Sequence, residues 1–285
     1  MTTHVVPIAR ADLDEVSSFL HLHMDSRVTA DAWARSFRVT ERFTPPNYGM
    51  KLVSGAVTVG VYVAYYSRRH YSDGRCEQFC NLGSWVVLPQ YRLHGARMLK
   101  ALLAQDGFHF VDLTPSGNVV PINERLGFTF LDDRTALVPT IPWPRRADSV
   151  RDAPEDVLPL LDDIGRSVYE DHRKADAARQ LLLRSATGTC HVVFRLDRRS
   201  RPPGLCASIL HVSNRTVFRQ MLRPLLGHLR RRHSAVSMLA ERRVVGFRPF
   251  GSLQIRQPQP KMYRSATLNS QDIDYLYTEL ATVQW

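Results

Sequence analysis

The residues with the clearest chemical potential lie in one stretch, residues 85–103. An apolar run ending at Leu88 predicts a buried strand, Pro89 ends it, and apolar residues then recur at helical spacing. The turn in between contains Arg92 and Gly95 and would point several backbone N–H groups at one spot, beside a helix N-terminus. Such a turn favours negatively charged ligands. The stretch therefore predicts an anion-binding turn.

This stretch resembles the pyrophosphate loop of the GNAT acyltransferase superfamily, in which a strand ending Val-x-Pro-x-Tyr-Arg is followed by x-x-Gly and an amphipathic helix. Residues 121–128, Pro-Ile-Asn-Glu-Arg-Leu-Gly-Phe, resemble the superfamily's later helix, which ends in Leu-Gly-Phe before the next strand. The family loop pattern is Arg/Gln-x-x-Gly-x-Gly/Ala. Arg92 and Gly95 match it, but Arg97 stands where the second small residue belongs.

Each motif also has a purely structural interpretation. The first is compatible with an ordinary strand-turn-helix connection, and the second with a helix closed by a glycine, Gly127, after which Phe128 returns to the core. Arg97 either pairs with a phosphate from outside the loop or blocks the loop.

The resemblance implies that acetyl-CoA or another acyl-CoA is the co-substrate. It also implies that the backbones near Val86 and Val87 polarise the thioester carbonyl. The residues expected to hold the cofactor are Trp85, Val86, Val87, Gln90, Tyr91, Arg92, Leu93, His94, Gly95, Ala96 and Arg97.

The general base is not defined by the resemblance. Asn81 occupies the position that often carries a glutamate in the family, and an amide is not a useful proton acceptor. The remaining candidates are Glu77, His70 and a water held by Asn81 and Ser84. Glu77 can equally be a surface carboxylate.

The acid that protonates the leaving thiolate is also open. Asn123 occupies the position of the family's usual tyrosine, four residues before the glycine of Leu-Gly-Phe. Tyr91 or His94 could replace that tyrosine, the thiolate could leave unassisted, or the unit could bind acyl-CoA without turning it over.

Composition describes a globular chain of 285 residues, 44% hydrophobic and 23% charged. No apolar run approaches the ~20 residues of a membrane span, and no secretory signal is evident, so a cytoplasmic location is expected. Cys76 and Cys80 form the only close cysteine pair and lack further ligands at zinc-finger spacing. We expect reduced thiols and no metal.

The formal charge of +11 predicts attraction to polyanions. Coenzyme A, an acyl carrier protein and nucleic acid all qualify, but no nucleic-acid recognition module is present, so nucleic acid is disfavoured. The arginine runs at 198–201 and 230–232 are typical of a solvated face.

Hydrophobic periodicity predicts the element order β-α-α-β-β-β-α-β-α-β-β over residues 4–141, which is the order of the GNAT fold. The predicted class is therefore α/β (α+β), with a mixed central sheet flanked by helices. In the predicted β-strand 56–66, apolar valines alternate along the chain.

Prolines between 139 and 154 predict a domain boundary, with a GNAT-like acyl-CoA-binding domain at 1–143 and a second, degenerate GNAT-like domain at 144–285. The second half is predicted to contain helical segments from 154 to 183, an arginine-rich helix from 216 to 232 kinked at Pro224, and a terminal helix over 272–280. It lacks a glycine in the equivalent phosphate turn, so it is not expected to bind the cofactor.

These features together predict a GNAT-type N-acyltransferase that moves an acyl group from coenzyme A directly to an amine of a small molecule. One alternative uses an acyl carrier protein as donor. Another is a non-catalytic scaffold that binds coenzyme A or a partner, which Asn81 and Asn123 favour. A homodimer is a further option, and no membrane association is expected.

Overall fold

The computed structural model describes residues 2–40, 43–71, 73–142, 150–200, 203–255 and 259–285. The predicted boundary between residues 143 and 144 lies outside these described residues. It stays a prediction.

The first half follows the predicted order of elements. They are β1 (Thr3–Pro7), α1 (Leu13–His23), α2 (Ala30–Ser36), β2 (Gly49–Ser54), β3 (Val57–His70), β4 (Cys76–Val87), α3 (Ala96–Leu103), β5 (His109–Asp112), α4 (Val120–Arg125), β6 (Thr129–Phe130) and β7 (Thr135–Pro139). Sequence preferences allow either Thr29 or Asp31 to cap α2, and the structure selects Thr29, which accepts a hydrogen bond from the Ala32 amide.

The second half repeats this order with small variations. Its elements are β8 (Val150–Arg151), α5 (Pro154–Val157), α6 (Asp163–His172), β9 (Arg179–Ser185), β10 (Gly188–Ser200), β11 (Pro203–Val212), α7 (Arg215–Gln220), α8 (Leu222–His233), β12 (Ala235–Glu241), α9 (Arg242–Val245), β13 (Leu253–Ile255), β14 (Met262–Arg264) and α10 (Glu279–Thr282). The repeat supports the expectation of two tandem units.

Two seven-stranded sheets form the framework. The first has the order β1-β2-β3-β4-β5-β14-β6, and the second has the order β13-β7-β12-β11-β10-β9-β8. In each sheet the long central strands pair antiparallel, and one parallel pair follows, β4 with β5 and β11 with β12. The expected mixed sheets flanked by helices are confirmed.

The two sheets exchange a strand. β14 comes from the second half but lies between β5 and β6, where Met262 pairs with Asp112 and Phe130. β7 comes from the first half but lies between β12 and β13, where Val138 pairs with Met238. The predicted element order would place β7 at the end of the first sheet. β7 joins the second sheet because a short alternating strand fits either sheet and only the whole fold selects one.

The strand β3 shows why helices cover both faces of the first sheet. Its residues 61, 63 and 65 pack with α1 and α2, whereas residues 62, 64 and 66 pack with α3 and the strands beside it. Successive side chains of a strand point to opposite faces. The alternation predicted from the sequence thus separates two apolar clusters.

Three local predictions in the second half are wrong. Residues 179–183 are not helical but belong to β9, the antiparallel partner of β10. The arginine-rich helix is divided at Met221 into α7 and α8, and Pro224 lies in the first turn of α8, where a missing N–H is tolerated. The terminal stretch 272–280 is not one helix. A 3-10 turn ends at Asp272, residues 275–278 form bends and turns, and α10 begins only at Glu279.

The exchanged strands predict that neither half folds alone. A fragment of residues 1–143 would leave β5 and β6 without β14 between them, and its first sheet would expose a long unpaired edge. We expect no cooperative thermal transition in this fragment by near-ultraviolet circular dichroism. Coexpression with residues 144–285 should yield a complex of the two fragments that melts cooperatively. A cooperative transition in the isolated 1–143 fragment would contradict the exchange.

Candidate functional site

The first sheet opens at the end of β4. Parallel pairing with β5 covers only Phe79–Leu82, and β4 then continues to Val87 while its other edge still pairs with β3. Among the described residues, no strand pairs with the free edge of 83–87. A β-bulge opposite Val63 accompanies the divergence, because Leu82 pairs with Ala64 but Trp85 pairs with Tyr62. A free strand edge of this kind can add an extended ligand by main-chain hydrogen bonds.

A buried carboxylate closes this opening. Glu279, the first residue of α10, is only 4% exposed. Ser84 Oγ donates to its Oε2 at 3.0 Å, and Thr114 Oγ1 donates to its Oε1. Burial raises the pKa of Glu279 above its usual range, and the two hydroxyl hydrogen bonds offset only part of that rise. The carboxylate is therefore a better proton acceptor than an exposed glutamate.

A second buried carboxyl group lies beside it, at the end of β5. Asp112 Oδ2 accepts a hydrogen bond from Asn123 Nδ2 at 2.8 Å, and its Oδ1 accepts one from the Thr114 amide at 3.4 Å. Burial raises the pKa of Asp112 to about 7, with a further contribution from the nearby Glu279 charge. Thr114 thus bridges two carboxyl groups of which one is readily protonated near neutral pH.

Two amide oxygens at the opening have no partner. The Oδ1 atoms of Asn81 and Asn123 are buried and accept no hydrogen bond. Buried polar atoms are almost always bonded in folded proteins, so these two oxygens are available to a ligand or a water. Ser84 lies at the opening through its hydrogen bond to Glu279, and Asn123 through its hydrogen bond to Asp112. A water held by Asn81 and Ser84 stays a prediction.

The predicted anion-binding turn forms a 3-10 helix, Pro89–His94, that runs directly into α3. Gly95 has an ordinary helical φ of −57°. A Cβ atom there would lie 3.2 Å from Trp85 Cζ2 and 3.4 Å from Val87 Cγ2. A larger residue at position 95 would therefore be crowded by β4 and by the Arg92 carbonyl oxygen, 3.3 Å from the same point. A tight turn does not require the glycine.

The side chains of the turn are more available to a ligand than its backbone amides are. The Tyr91 amide donates to Leu88 O at 2.9 Å and the Gly95 amide donates to Arg92 O at 3.1 Å, so both are already bonded. Gln90, Arg92 and Leu93 are exposed, and His94 is half-buried. These side chains surround the end of β4 and remain the candidates for contact with an anion.

Arg97 is directed toward β1. Its Nη1 donates to both the carbonyl oxygen and the hydroxyl of Thr3, at 3.0 Å each. The side chain therefore ties α3 to the edge strand of the first sheet. Ala96 is exposed beside it, and Trp85 stacks on Tyr62 with ring centroids 4.5 Å apart.

Glu77 and His70 lie away from the opening, whereas Tyr91 belongs to the same apolar cluster as Trp85 and Val87. Glu77 Oε2 is 3.0 Å from His109 Nε2 near the start of β4, seven residues and roughly 23 Å along the strand from Ser84. His70 is at the far end of the β3–β4 hairpin, beside Cys76. The Tyr91 hydroxyl donates to Ser54 Oγ at 3.5 Å at the end of β2.

Sequence reasoning did not identify Asp112, Thr114 or Glu279. Asp112 and Thr114 follow a predicted strand at its C-terminal end, a place where functional side chains often lie, so a signal was present for them. Glu279 is 195 residues from Ser84 along the chain, and nothing in its local sequence indicates the contact.

The second sheet has an equivalent opening, but the chain itself fills it. β11 pairs with β12 only over Leu205–Ser208, and beyond that the Tyr275 amide donates to Leu210 O at 3.2 Å. At the start of α7, Asn214 Oδ1 accepts from the amides of Thr216 and Val217 at 3.1 Å each. These two amides at the start of α7 are therefore already bonded within the chain, and the absence of a cofactor site in the second unit stays a prediction.

A cavity of about 820 Å³ lies where the two halves meet. It is lined by the end of the β3–β4 hairpin, by α6, by the start of α7 and by residues 271–277. Inside it, Asp274 contacts Arg69 Nη1 at 2.6 Å and His211 Nδ1 at 2.7 Å. Burial alone would raise the pKa of Asp274, but Arg69 and His211 hold it well below its usual range. The cavity therefore has both apolar walls and fixed charges.

The whole architecture is similar to those of solved acyltransferase structures. A GCN5-related N-acetyltransferase from Anabaena variabilis is 10% identical, with 92% of this chain and 72% of that chain covered at a TM-score of 0.58. A conserved Enterococcus faecalis protein of unknown function, described as a candidate N-acyltransferase, is 13% identical, with the same coverage and a TM-score of 0.60. A candidate acetyltransferase from Pyrococcus horikoshii is 14% identical, covers 98% and 95%, and has a TM-score of 0.56.

These similarities show that the chain has the GNAT superfamily fold, which confirms the resemblance found in the sequence. At 10–14% identity the likeness is one of fold. No protein-family model matches the sequence, and a comparison with curated proteins also finds no match. None of the described helices is long and apolar enough to cross a membrane.

The raised pKa of Asp112 predicts a specific pH dependence of stability. The unfolded chain releases this proton near pH 4, whereas the folded protein keeps it to about pH 7, so stability falls as pH rises between these values. Asp112→Asn removes this loss. Relative to the wild type, its free energy of unfolding should gain up to about 4 kcal/mol between pH 4 and pH 8. Urea denaturation at a series of pH values measures the difference, and a pH-independent difference would contradict the assignment.

Proposed function

We propose that this protein transfers an acyl group from an acyl-coenzyme A to an amine of a small molecule. The observation that carries the proposal is the opening beside the free edge of β4, where two buried carboxyl groups with raised pKa values face the strand. The fold supports acyl transfer from coenzyme A in general, and the carboxyl groups supply the proton transfers that the reaction needs.

The acyl donor would lie along β4. The extended arm of coenzyme A would add to the free edge of residues 83–87, and its phosphates would contact Arg92 and His94 at the end of the strand. The stacked Trp85 and the close packing of Gly95 hold this end of β4 rigidly. Arg97 would act only indirectly, because its side chain is bound to Thr3.

Glu279 is the proposed general base and Asp112 the proposed acid. The amine nitrogen attacks the thioester carbonyl and forms the C–N bond while Glu279 takes the proton that the nitrogen releases. The C–S bond then breaks, and protonated Asp112 supplies a proton to the thiolate. Asn123 holds Asp112, and the family resemblance places the usual acid at this same position of the chain.

The acceptor would enter from the cavity between the halves. Leu276 and Tyr277 line that cavity, and Glu279 follows two residues later. The mixture of apolar walls with Asp274, Arg69 and His211 suits a small molecule that carries both charged and apolar groups.

Two alternatives have specific support. The exposed arginines of α8, Arg230 to Arg232, would suit docking of an acidic acyl carrier protein. A non-catalytic scaffold is favoured by the fact that both oxygens of Glu279 already accept hydrogen bonds. The experiments below separate these alternatives from the enzyme.

Binding of the donor is tested by titrating coenzyme A and acetyl-CoA into the protein in a calorimeter. We expect micromolar binding, weakened about tenfold or more in Arg92→Glu because a charge-assisted contact is replaced by repulsion. Arg230→Glu makes the same charge change on α8 and should bind as the wild type does. Failure of the folded wild type to bind either ligand would refute the coenzyme A proposal.

Catalysis is tested by following release of free coenzyme A with a panel of small amines. Glu279→Gln keeps the shape of the side chain but cannot take a proton, so its kcat should fall about 100-fold or more while its affinity for acetyl-CoA is retained. Glu155→Gln, an exposed residue of α5, is the matched control and should be fully active. Unchanged kcat in Glu279→Gln would exclude it as the base.

A further inference from the structure

Three potential metal ligands meet where β8 approaches the end of α8. They are Asp152, His228 and His233, and one ligand atom from each lies within 4.8 Å of the others. The two imidazole rings have centroids 5.6 Å apart. His228 Nε2 lies 3.4 Å from Asp152 Oδ2, and the two side chains are 15% and 31% exposed. The group is therefore partly sheltered from solvent.

Both imidazole Nε2 atoms are buried and make no hydrogen bond, although His228 Nε2 lies at ion-pair distance from Asp152. Two orphaned nitrogens that face one carboxylate are unusual in a folded protein.

We infer that Asp152, His228 and His233 form a binding site for a divalent transition-metal ion of the zinc class. Two imidazole nitrogens and one carboxylate oxygen are ligands that Zn²⁺ prefers. Zn²⁺ bonds of about 2.0–2.2 Å place neighbouring ligand atoms roughly 3.3–3.5 Å apart. Small side-chain rotations would bring the three atoms to these separations, and a water would complete the tetrahedron.

Three arginines oppose a cation here: Arg231 and Arg232 act on His228, Arg179 and Arg232 act on His233, and Arg232 also contacts the carboxylate. Arg232 Nε lies 3.3 Å from Asp152 Oδ2, and the Arg232 side chain is 71% exposed. A bound ion would compete with this guanidinium for the carboxylate, and the exposed arginine can turn away into solvent. Removal of Arg232 should therefore strengthen metal binding. If Asp152 served only as the ion-pair partner of Arg232, this removal would not create any affinity for a metal.

The position of the group indicates a structural role. β8 is the edge strand of the second sheet, and α8 packs near it. Phe194 packs edge-to-face on His233 at 5.2 Å and fixes that ring. An ion would therefore link the start of the second half to its longest helix. The inference is independent of the proposed acyl transfer.

The test uses untagged full-length protein that has been treated with a chelator and dialysed. Calorimetric titration with ZnCl₂ should give one equivalent bound with micromolar or tighter affinity and a higher melting temperature. His228→Ala and His233→Ala should each weaken binding at least about tenfold, and Arg232→Ala should strengthen it. His4→Ala removes an exposed histidine of β1 and should change nothing.

Titration of the wild-type protein with Co²⁺ tests the geometry without any mutation. A tetrahedral site would give strong visible absorption, which added Zn²⁺ should abolish. The inference is overturned if the wild type binds no Zn²⁺, or if a folded His228→Ala/His233→Ala variant binds it as tightly as the wild type does. Far-ultraviolet circular dichroism establishes the folding of each variant.

Discussion

The structure depends on the burial of one segment, residues 273–283, between its two halves. Two buried arginines hold the segment. Arg69 from β3 donates to Leu276 O at 2.5 Å and to Asp274, and Arg195 from β10 donates to Leu280 O at 2.8 Å. These arginines come from equivalent long strands of the two sheets. Each would be costly to bury without such partners, so the arginines and the segment stabilise each other.

The same segment connects both openings of the sheets. Tyr275 occupies the second opening, where its amide donates a hydrogen bond to Leu210 O. Glu279 lies at the first opening, where its carboxylate accepts hydrogen bonds from Ser84 and Thr114. Between them, Tyr277 has a left-handed backbone conformation with φ of 58°, which a large side chain rarely adopts. Its amide donates to His172 Nε2 and its hydroxyl donates to Asp171, so the surrounding structure holds this conformation in place.

Strand exchange and the buried segment together explain why a site in the first sheet is built from the second half. β14 pairs with the edge of β5 that does not pair with β4, and α10 places Glu279 against Ser84 of β4. The chemistry at the opening therefore depends on the assembly of the two halves. An isolated first half would have Asp112 and Asn123 but would lack the carboxylate that raises the pKa of Asp112 further.

The sequence by itself determined the local patterns. The alternation in β3, a cap at the start of α2, the helix after Gly95 and the glycine that closes α4 could all be predicted, because each follows from the conformational preferences of a few adjacent residues. Gly127 has the positive φ of 83° expected after a helix, and Phe128 is buried. The fold class and the position of the turn at the end of β4 followed from these patterns.

Only the tertiary structure decided which sheet receives β7 and β14, which carboxylates meet at the opening, and which histidines meet Asp152. The sequence around Glu279 predicted a terminal helix without indicating its partners, and His228 and His233 are five residues apart, a spacing with no metal signature. These contacts join residues up to 195 positions apart. They form because burial of the remaining apolar surface and pairing of the remaining strand edges act on the whole chain, and local sequence does not encode which distant partner satisfies them.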